Sequence, residues 1–193
     1  MSAASFQIDV PDTVLARARR GETGALEQIY RAFERPAYTL ALRMLGDADH
    51  AREAVHDAMI HLLERIGQFR GDAPFWGWLR QIVVNEALMR LRKERGVVME
   101  ELPDDDDTPG STPPPWAFAD ARRLEHAMAR LPSLTRSVLW LYHVEEYTHQ
   151  EIAEMTGKSV SFSKSQVARG SNRLRALLEP HEEAAPCLTA TAH

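Results

Sequence analysis

Residues 148–178 read THQEIAEMTGKSVSFSKSQVARGSNRLRALL, and this stretch decides the fold of the C-terminal half. Thr148 and Glu151 have capping-box spacing, in which each side chain bonds the other residue's free backbone N–H at a helix start. Ile152, Ala153 and Met155 supply apolar contacts, and Gly157 suits the left-handed residue that ends a helix. Ser159 or Ser161 then caps a second helix running to about Leu178. From Lys158 to Leu178 there are five Lys/Arg and no acid. A short helix, a glycine turn and a cationic helix are the parts with which a helix-turn-helix enters a DNA major groove.

That local positive charge stands out because the chain as a whole is acidic. Its 193 residues carry a net charge of −5, with a pI near 5.9. This excludes a generally basic nucleic-acid coat and favours a positioned DNA contact. The length suits one or two small domains, and an apolar share of 44% suffices for packed cores. Cys187 is the only cysteine, so no intrachain disulfide forms, which agrees with a reducing cytoplasm. MSAASFQIDVP lacks the basic region and apolar core of a signal peptide. No apolar run approaches the ~18–20 residues of a membrane span. A cytoplasmic protein without a membrane partner is expected.

Periodicity predicts an all-α fold with two helical domains joined by an acidic, Pro-rich linker. The first domain spans 11–95 and holds four helices. Asp12 or Thr13 starts the first, which ends near Arg20–Gly21. The second, from about Thr23 to Leu45, carries Leu26, Ile29, Tyr30, Phe33, Leu40, Ala41, Met44 and Leu45 at helical spacing. Pro36 is expected to kink or break it. The third, about Asp49 to Ile66, places Ala51, Ala54, Val55, Ala58, Met59, Leu62 and Leu63 on one face. A polar loop, GQFRGDAP, leads to a fourth helix from Phe75 to Arg95, with Leu79, Ile82, Val83, Leu88 and Leu91 inward. Residues 96–115 contain four consecutive aspartates, Asp104 to Asp107, and five prolines, a composition expected to stay extended. The second domain spans 116–180, where Leu124, Met128, Leu131, Leu134, Val138, Leu139, Leu141 and Tyr142 are expected to pack under the helix-turn-helix. The tail, 181–193, reads as disordered.

A step of about 100° per residue divides the cationic helix into faces. Val160, Val167, Gly170, Leu174 and Leu178 are expected inward. Phe162, Ser165, Arg169 and Asn172 fall opposite, flanked by Gln166 and Arg173. The first turns of such a helix reach base edges, so Ser161, Phe162, Ser165, Gln166 and Arg169 are the expected readers. Lys158, Lys164, Arg173 and Arg175 suit phosphates. In the first domain, FRGDAPFWGWLRQIVVNEALMRLRKERG (69–96) sets aromatics beside cations, which suits a single strand whose bases stack and whose phosphates need neutralising. Trp78 and Leu79 are expected in the core. Phe69, Arg70 and Trp76 fit either role.

Two motifs carry a resemblance to a known family. DADHAREAVHDAMIHLLERIGQFRGDAPFWGWLRQIVVNEALMRLRKER in the first domain and LPSLTRSVLWLYHVEEYTHQEIAEMTGKSVSFSKSQVARGSNRLRALL in the second resemble the extracytoplasmic function (ECF) sigma factors of bacterial RNA polymerase. The match covers about residues 10–180. The resemblance implies an alternative sigma factor that directs core RNA polymerase to specific promoters and helps melt the −10 element. The first domain would be sigma domain 2, docking on the β′ clamp helices through Asp49, Arg52, Glu53, His56 and Asp57. The loop 69–74, with Phe69, Arg70, Gly71 and Asp72, would capture a flipped base of the non-template strand. Trp76, Asn85, Arg92 and Lys93 would border that strand. The second domain would be sigma domain 4, reading the −35 element through Ser161, Phe162, Lys164, Ser165, Gln166, Arg169 and Arg173 and touching the β flap. The family implies an anti-sigma factor or a regulatory kinase as further partners.

The chain departs from the family pattern at the docking helix. AREAVHDAM stands where a run close to AEDLVQETF is usual, so Arg52 and His56 replace an acid and an amide. Like charge on the basic clamp helices should weaken docking, at ~0–1 kcal/mol per exposed pair. No Ser or Thr lies between Asp47 and Gln68, so phosphorylation has no acceptor there. In the recognition helix, Ser163 stands where an apolar residue is common and Gln166 where Arg is; Phe162 turning inward would compensate. His50, His56 and His61 are six and five apart, not the four that aligns metal ligands on a helix. No metal or cofactor is expected, and without a nucleophile elbow, phosphate loop or paired carboxylates no enzyme is expected. The rival reading is a helix-turn-helix regulator acting on duplex DNA without polymerase.

Overall fold

A computed structural model describes residues 7–94 and 121–179. The linker expected at 96–115 and the tail at 181–193 lie outside the described residues. Within them the elements are helical: α1 (Asp12–Arg19), α2 (Thr23–Leu45), α3 (Ala48–Arg65), a 3-10 turn (Ile66–Gln68), α4 (Phe75–Glu94), α5 (Ala121–Ala129), α6 (Ser133–His143), α7 (His149–Thr156) and α8 (Val160–Leu178).

Local chemistry accounts for most boundaries. The Asp47 carboxylate accepts from the N–H groups of Asp49 and His50 and so starts α3. Those bonds to the charged form lower its pKa. Gly46, at φ +71°, ends α2 in the left-handed conformation. Pro36 does not break α2, which runs unbroken across it. Phe33, Ala37, Leu40 and Ala41 are buried on both sides of it, and that packing outweighs the ~3 kcal/mol cost of an interior proline. Leu63 departs from its expected inward place. It is 52% exposed, because Ala51, Ala54, Val55, Ala58, Met59 and Leu62 already fill the stripe against α2 and α4.

α1 to α4 form the first helical unit, around Ile29, Phe33, Met44, Leu62, Leu79, Val83 and Leu88. α5 to α8 form the second, around Leu131, Leu139, Leu141, Ile152 and Leu174. The two are in contact, and their buried side chains make one connected cluster. α6 lies against α2, and α7 touches α4. At the first of these contacts the buried Arg136 guanidinium donates to the carbonyls of Met44 (3.2 Å) and Leu45, while the Ser137 hydroxyl donates to Met44 at 3.0 Å. Arg43 reaches Glu125 at 2.6 Å across the same junction.

At Gly170, α8 lies close against α6. A Cβ there would lie 2.6 Å from Thr135 Cγ2 and 2.9 Å from Leu139 Cδ1. Gly170→Ala should therefore destabilise the protein by ~1–3 kcal/mol through overpacking, although alanine is the better helix former. Denaturant unfolding of the purified variant measures this.

Candidate nucleic-acid interface

The helix-turn-helix forms as its caps dictate. The Thr148 backbone N–H donates to the Glu151 carboxylate at 2.7 Å, and the Glu151 N–H donates to the Thr148 hydroxyl at 3.2 Å. Gly157, at φ +67°, closes α7. Ser159, not Ser161, caps α8 by accepting from the Phe162 N–H at 3.0 Å.

The rotation of α8 corrects the expected set of readers. Gln166 is only 3% exposed, and its amide oxygen accepts from the Thr135 hydroxyl at 2.6 Å. It faces α6 and is removed from the readers. Ser163 is fully buried, with its hydroxyl 3.0 Å from His149 Nδ1. A polar residue thus occupies the inward position itself, because α7 presents a polar partner there. Phe162 is half-buried against the core with the Lys158 ammonium 5.7 Å over its ring. Ser161 and Lys164 are exposed and Ser165 and Ala168 half-exposed, at the i, i+3, i+4, i+7 spacing of one helix face. Asn172 and Arg173, both exposed, extend the open side, and Arg169 is half-buried beside it.

Phe69 also requires correction as a strand contact. It is 8% exposed and packs edge-on to Phe75 and tilted on Trp78, both at 5.3 Å between ring centroids. The Arg19 guanidinium lies over the Phe69 ring at 5.4 Å and donates to the Phe69 carbonyl at 2.7 Å. The ring anchors the loop in the core, where its apolar surface leaves water. Arg70, Gly71 and Asp72 stay exposed beyond that anchor, with Gly71 at φ +86°. Gly71 and Asp72, together with Trp76 and with Asp9 and Asp12 near the start of the chain, wall a cavity of about 370 Å³. Ile8, Val10 and Leu15 contribute to it, walls that no sequence motif marked. Asn85 and Lys93 are exposed on α4, and Arg92 donates to the Met155 carbonyl of α7.

On α3 the structure brings Asp49, Arg52, Glu53 and His56 to one exposed face, with Asp57 half-buried at its edge. The acids are engaged internally. Arg52 pairs with Asp49, and Arg90 bridges Glu53 at 2.7 Å and Asp57 at 2.6 Å. Ile60 (40% exposed) and Leu63 continue the face. The inward-only reading of Leu63 concealed this apolar half. Among the described residues there is no cluster of three metal-ligating side chains and no helix long and apolar enough to cross a membrane.

Comparison with known proteins agrees with the two-part division. Residues 29–97 match the family model for Sigma-70 region 2, and residues 121–174 that for Sigma-70, region 4. The chain is 30% identical over 165 residues to the ECF RNA polymerase sigma factor SigM of Mycobacterium tuberculosis, covering 86% of this chain and 83% of that protein. It is 25% identical over 184 residues to the RNA polymerase sigma-H factor of Pseudomonas aeruginosa, covering 86% and 93%. Among solved structures, the sigma factor RpoE of Bartonella quintana, in complex with the anti-sigma factor NepR, superposes with a TM-score of 0.53. That pair shares 22% identity over 80% of this chain and 97% of that one, a likeness of fold.

His143 ends α6 and His149 begins α7. His149 stacks on Tyr142 at 4.4 Å. Burial lowers the pKa of His143, helped by neighbouring His149, and burial lowers that of His149, helped by Lys164. A lowered histidine pKa means that the unfolded chain binds protons more readily. The stability is complete above the ordinary histidine value of about 6.5 and is lost as pH falls below it. Buried Glu145, its carboxyl pushed up by burial against the pull of Arg80, acts in the opposite sense. The melting temperature should fall between about pH 7.5 and pH 5.5, and the fall should shrink in His149→Asn, as calorimetry at the two pH values would measure.

Proposed function

The chain belongs to the ECF sigma factors of RNA polymerase, and from that premise we propose that it directs core polymerase to its promoters by reading them at two places. The observation that carries this is the pairing in one chain of an outward cationic helix with a separate loop, cavity and cation-bearing helix. A duplex regulator needs only the first. The polymerase performs the chemistry, and this subunit supplies recognition.

Upstream, α8 would lie in the major groove with Ser161, Lys164, Ser165 and Ala168 toward the bases. A lysine there pairs with guanine O6 and N7, a serine with either type of edge atom, and an alanine methyl with the thymine methyl. Arg169, Asn172 and Arg173 would follow the phosphates. Downstream, the cavity behind Gly71 and Asp72 would take an unstacked base, with Trp76 in its wall to stack on it and Arg70 exposed beside it. Asn85, Arg92 and Lys93 would line the strand's path. Asp49, Arg52, Glu53 and His56, with Ile60 and Leu63, would form the docking face for the β′ clamp helices. An anti-sigma factor is a further partner class, since the fold neighbour RpoE is in complex with NepR.

Transcription in vitro from a promoter library, with core polymerase and this chain, tests the reading. Promoter-specific initiation is expected, and duplex binding without initiation would favour the regulator. Lys164→Ala should lose ~1–3 kcal/mol of discrimination at one −35 base pair. Gln166→Ala should instead lose ~1–3 kcal/mol of fold stability, because it strands the Thr135 hydroxyl, while promoter preference stays put. Arg52→Glu should tighten core binding by ~0–1 kcal/mol per new pair with the basic clamp; a titration giving equal or weaker affinity refutes the charge argument.

A further inference from the structure

We propose that the helix-turn-helix unit and the opened promoter strand compete for one face of α4, so that the free protein holds itself closed. This rests on the reading that α4 borders the opened strand.

The face in question is already occupied. The Arg80 guanidinium donates to the Glu145 carboxylate at 3.2 Å and lies over the rings of Trp76 (5.3 Å) and Tyr147 (5.1 Å). The Gln81 amide accepts from the Tyr147 hydroxyl at 3.1 Å and donates to Met155 Sδ at 3.0 Å. It also leans on Asn85 at 3.5 Å. Arg92 donates to the Met155 carbonyl. Three residues assigned to the strand's path are therefore engaged, Arg92 directly, Trp76 through Arg80 and Asn85 through Gln81.

The chemistry of the occupant resembles that of a nucleic acid strand. Glu145 offers an anion to a guanidinium, as a phosphate would. Tyr147 offers a ring to the same cation, as a base would. The Met155 carbonyl supplies a further oxygen acceptor. In the same arrangement the open face of α8 and the α3 docking face remain exposed. Closure thus covers the strand-binding face while leaving the duplex reader and the polymerase contact available. Polar bonds make the contact on α4, and the buried α2–α6 junction holds the two units together behind it, so docking on polymerase has both to release.

The test is the double variant Glu145→Gln/Tyr147→Phe, which keeps side-chain volume but removes the anion and the hydroxyl. In the free full-length chain, anisotropy with a short fluorescent single-stranded oligonucleotide should show about tenfold tighter binding. Small-angle scattering should show a larger radius of gyration. Glu64→Gln, an equal charge change on the exposed side of α3, should give neither effect. Unchanged affinity and compactness in the double variant, or an equal gain in Glu64→Gln, overturns the proposal. If circular dichroism shows that the double variant has lost helix, Gly46→Ala replaces it. Its Cβ would lie 2.4 Å from the Arg136 guanidinium carbon and evict that side chain; the same gain is expected, and its absence overturns the proposal. Promoter-specific initiation by the wild-type chain, run in parallel, separates the two ideas. Initiation without a gain in the variants sinks closure alone, and a gain without initiation sinks the sigma reading alone.

Discussion

A buried guanidinium seated on backbone carbonyls fixes how the two helical units meet. Arg136 is 7% exposed and sits on the C-terminal end of α2, donating to the Met44 and Leu45 carbonyls. Those carbonyls belong to the last turn of a helix, where backbone acceptors lack intrahelical partners and carry the negative end of the helix dipole. Burial lowers the pKa of Arg136, as it must for a cation withdrawn from water. Gly46 permits the approach twice over, through its left-handed φ and through the missing Cβ that would strike the guanidinium. With α6 seated on α2, the positions of α5, α7 and α8 follow, because each packs on α6 or on another of them.

The same device recurs at smaller scale. Arg123 donates to the Leu178 carbonyl at the end of α8, and Arg92 to the Met155 carbonyl in the last turn of α7. In each case an arginine from one helix satisfies the final carbonyls of another. Helix ends that would otherwise need water become junctions, and the geometry of the junctions sets which surfaces stay open. On this arrangement α8 and α3 look outward while part of α4 is covered, a distribution that bears on how a two-part promoter reader is held before it meets polymerase.

Much of this was legible in the residues. The capping box at Thr148 and Glu151, the stop at Gly157, and the inward set Leu79, Ile82, Val83, Leu88 and Leu91 needed only local rules, and each stands as expected. The failures share a cause. Gln166 looked like a reader because it lies in the first turns of α8, yet Thr135 on α6 offered it a buried hydroxyl. Phe69 fitted either a strand contact or the core, and Phe75, Trp78 and Arg19 enclosed it. Leu63 fell on the apolar stripe by periodicity, yet six smaller or better-placed neighbours filled the contact. Each depended on a partner far away in sequence, which periodicity does not encode.

The sequence by itself determined the helices, their caps, the cationic character of α8 and the two-part family pattern. These follow from interactions within a few residues and from motif order. Only the tertiary structure decided how far α8 is rotated, which aromatics are withheld from DNA, and which face of α4 is covered. Those outcomes are set where side chains from separate helices compete for the same buried donors, acceptors and volume, and an arginine seated on a helix end resolves the largest of those competitions.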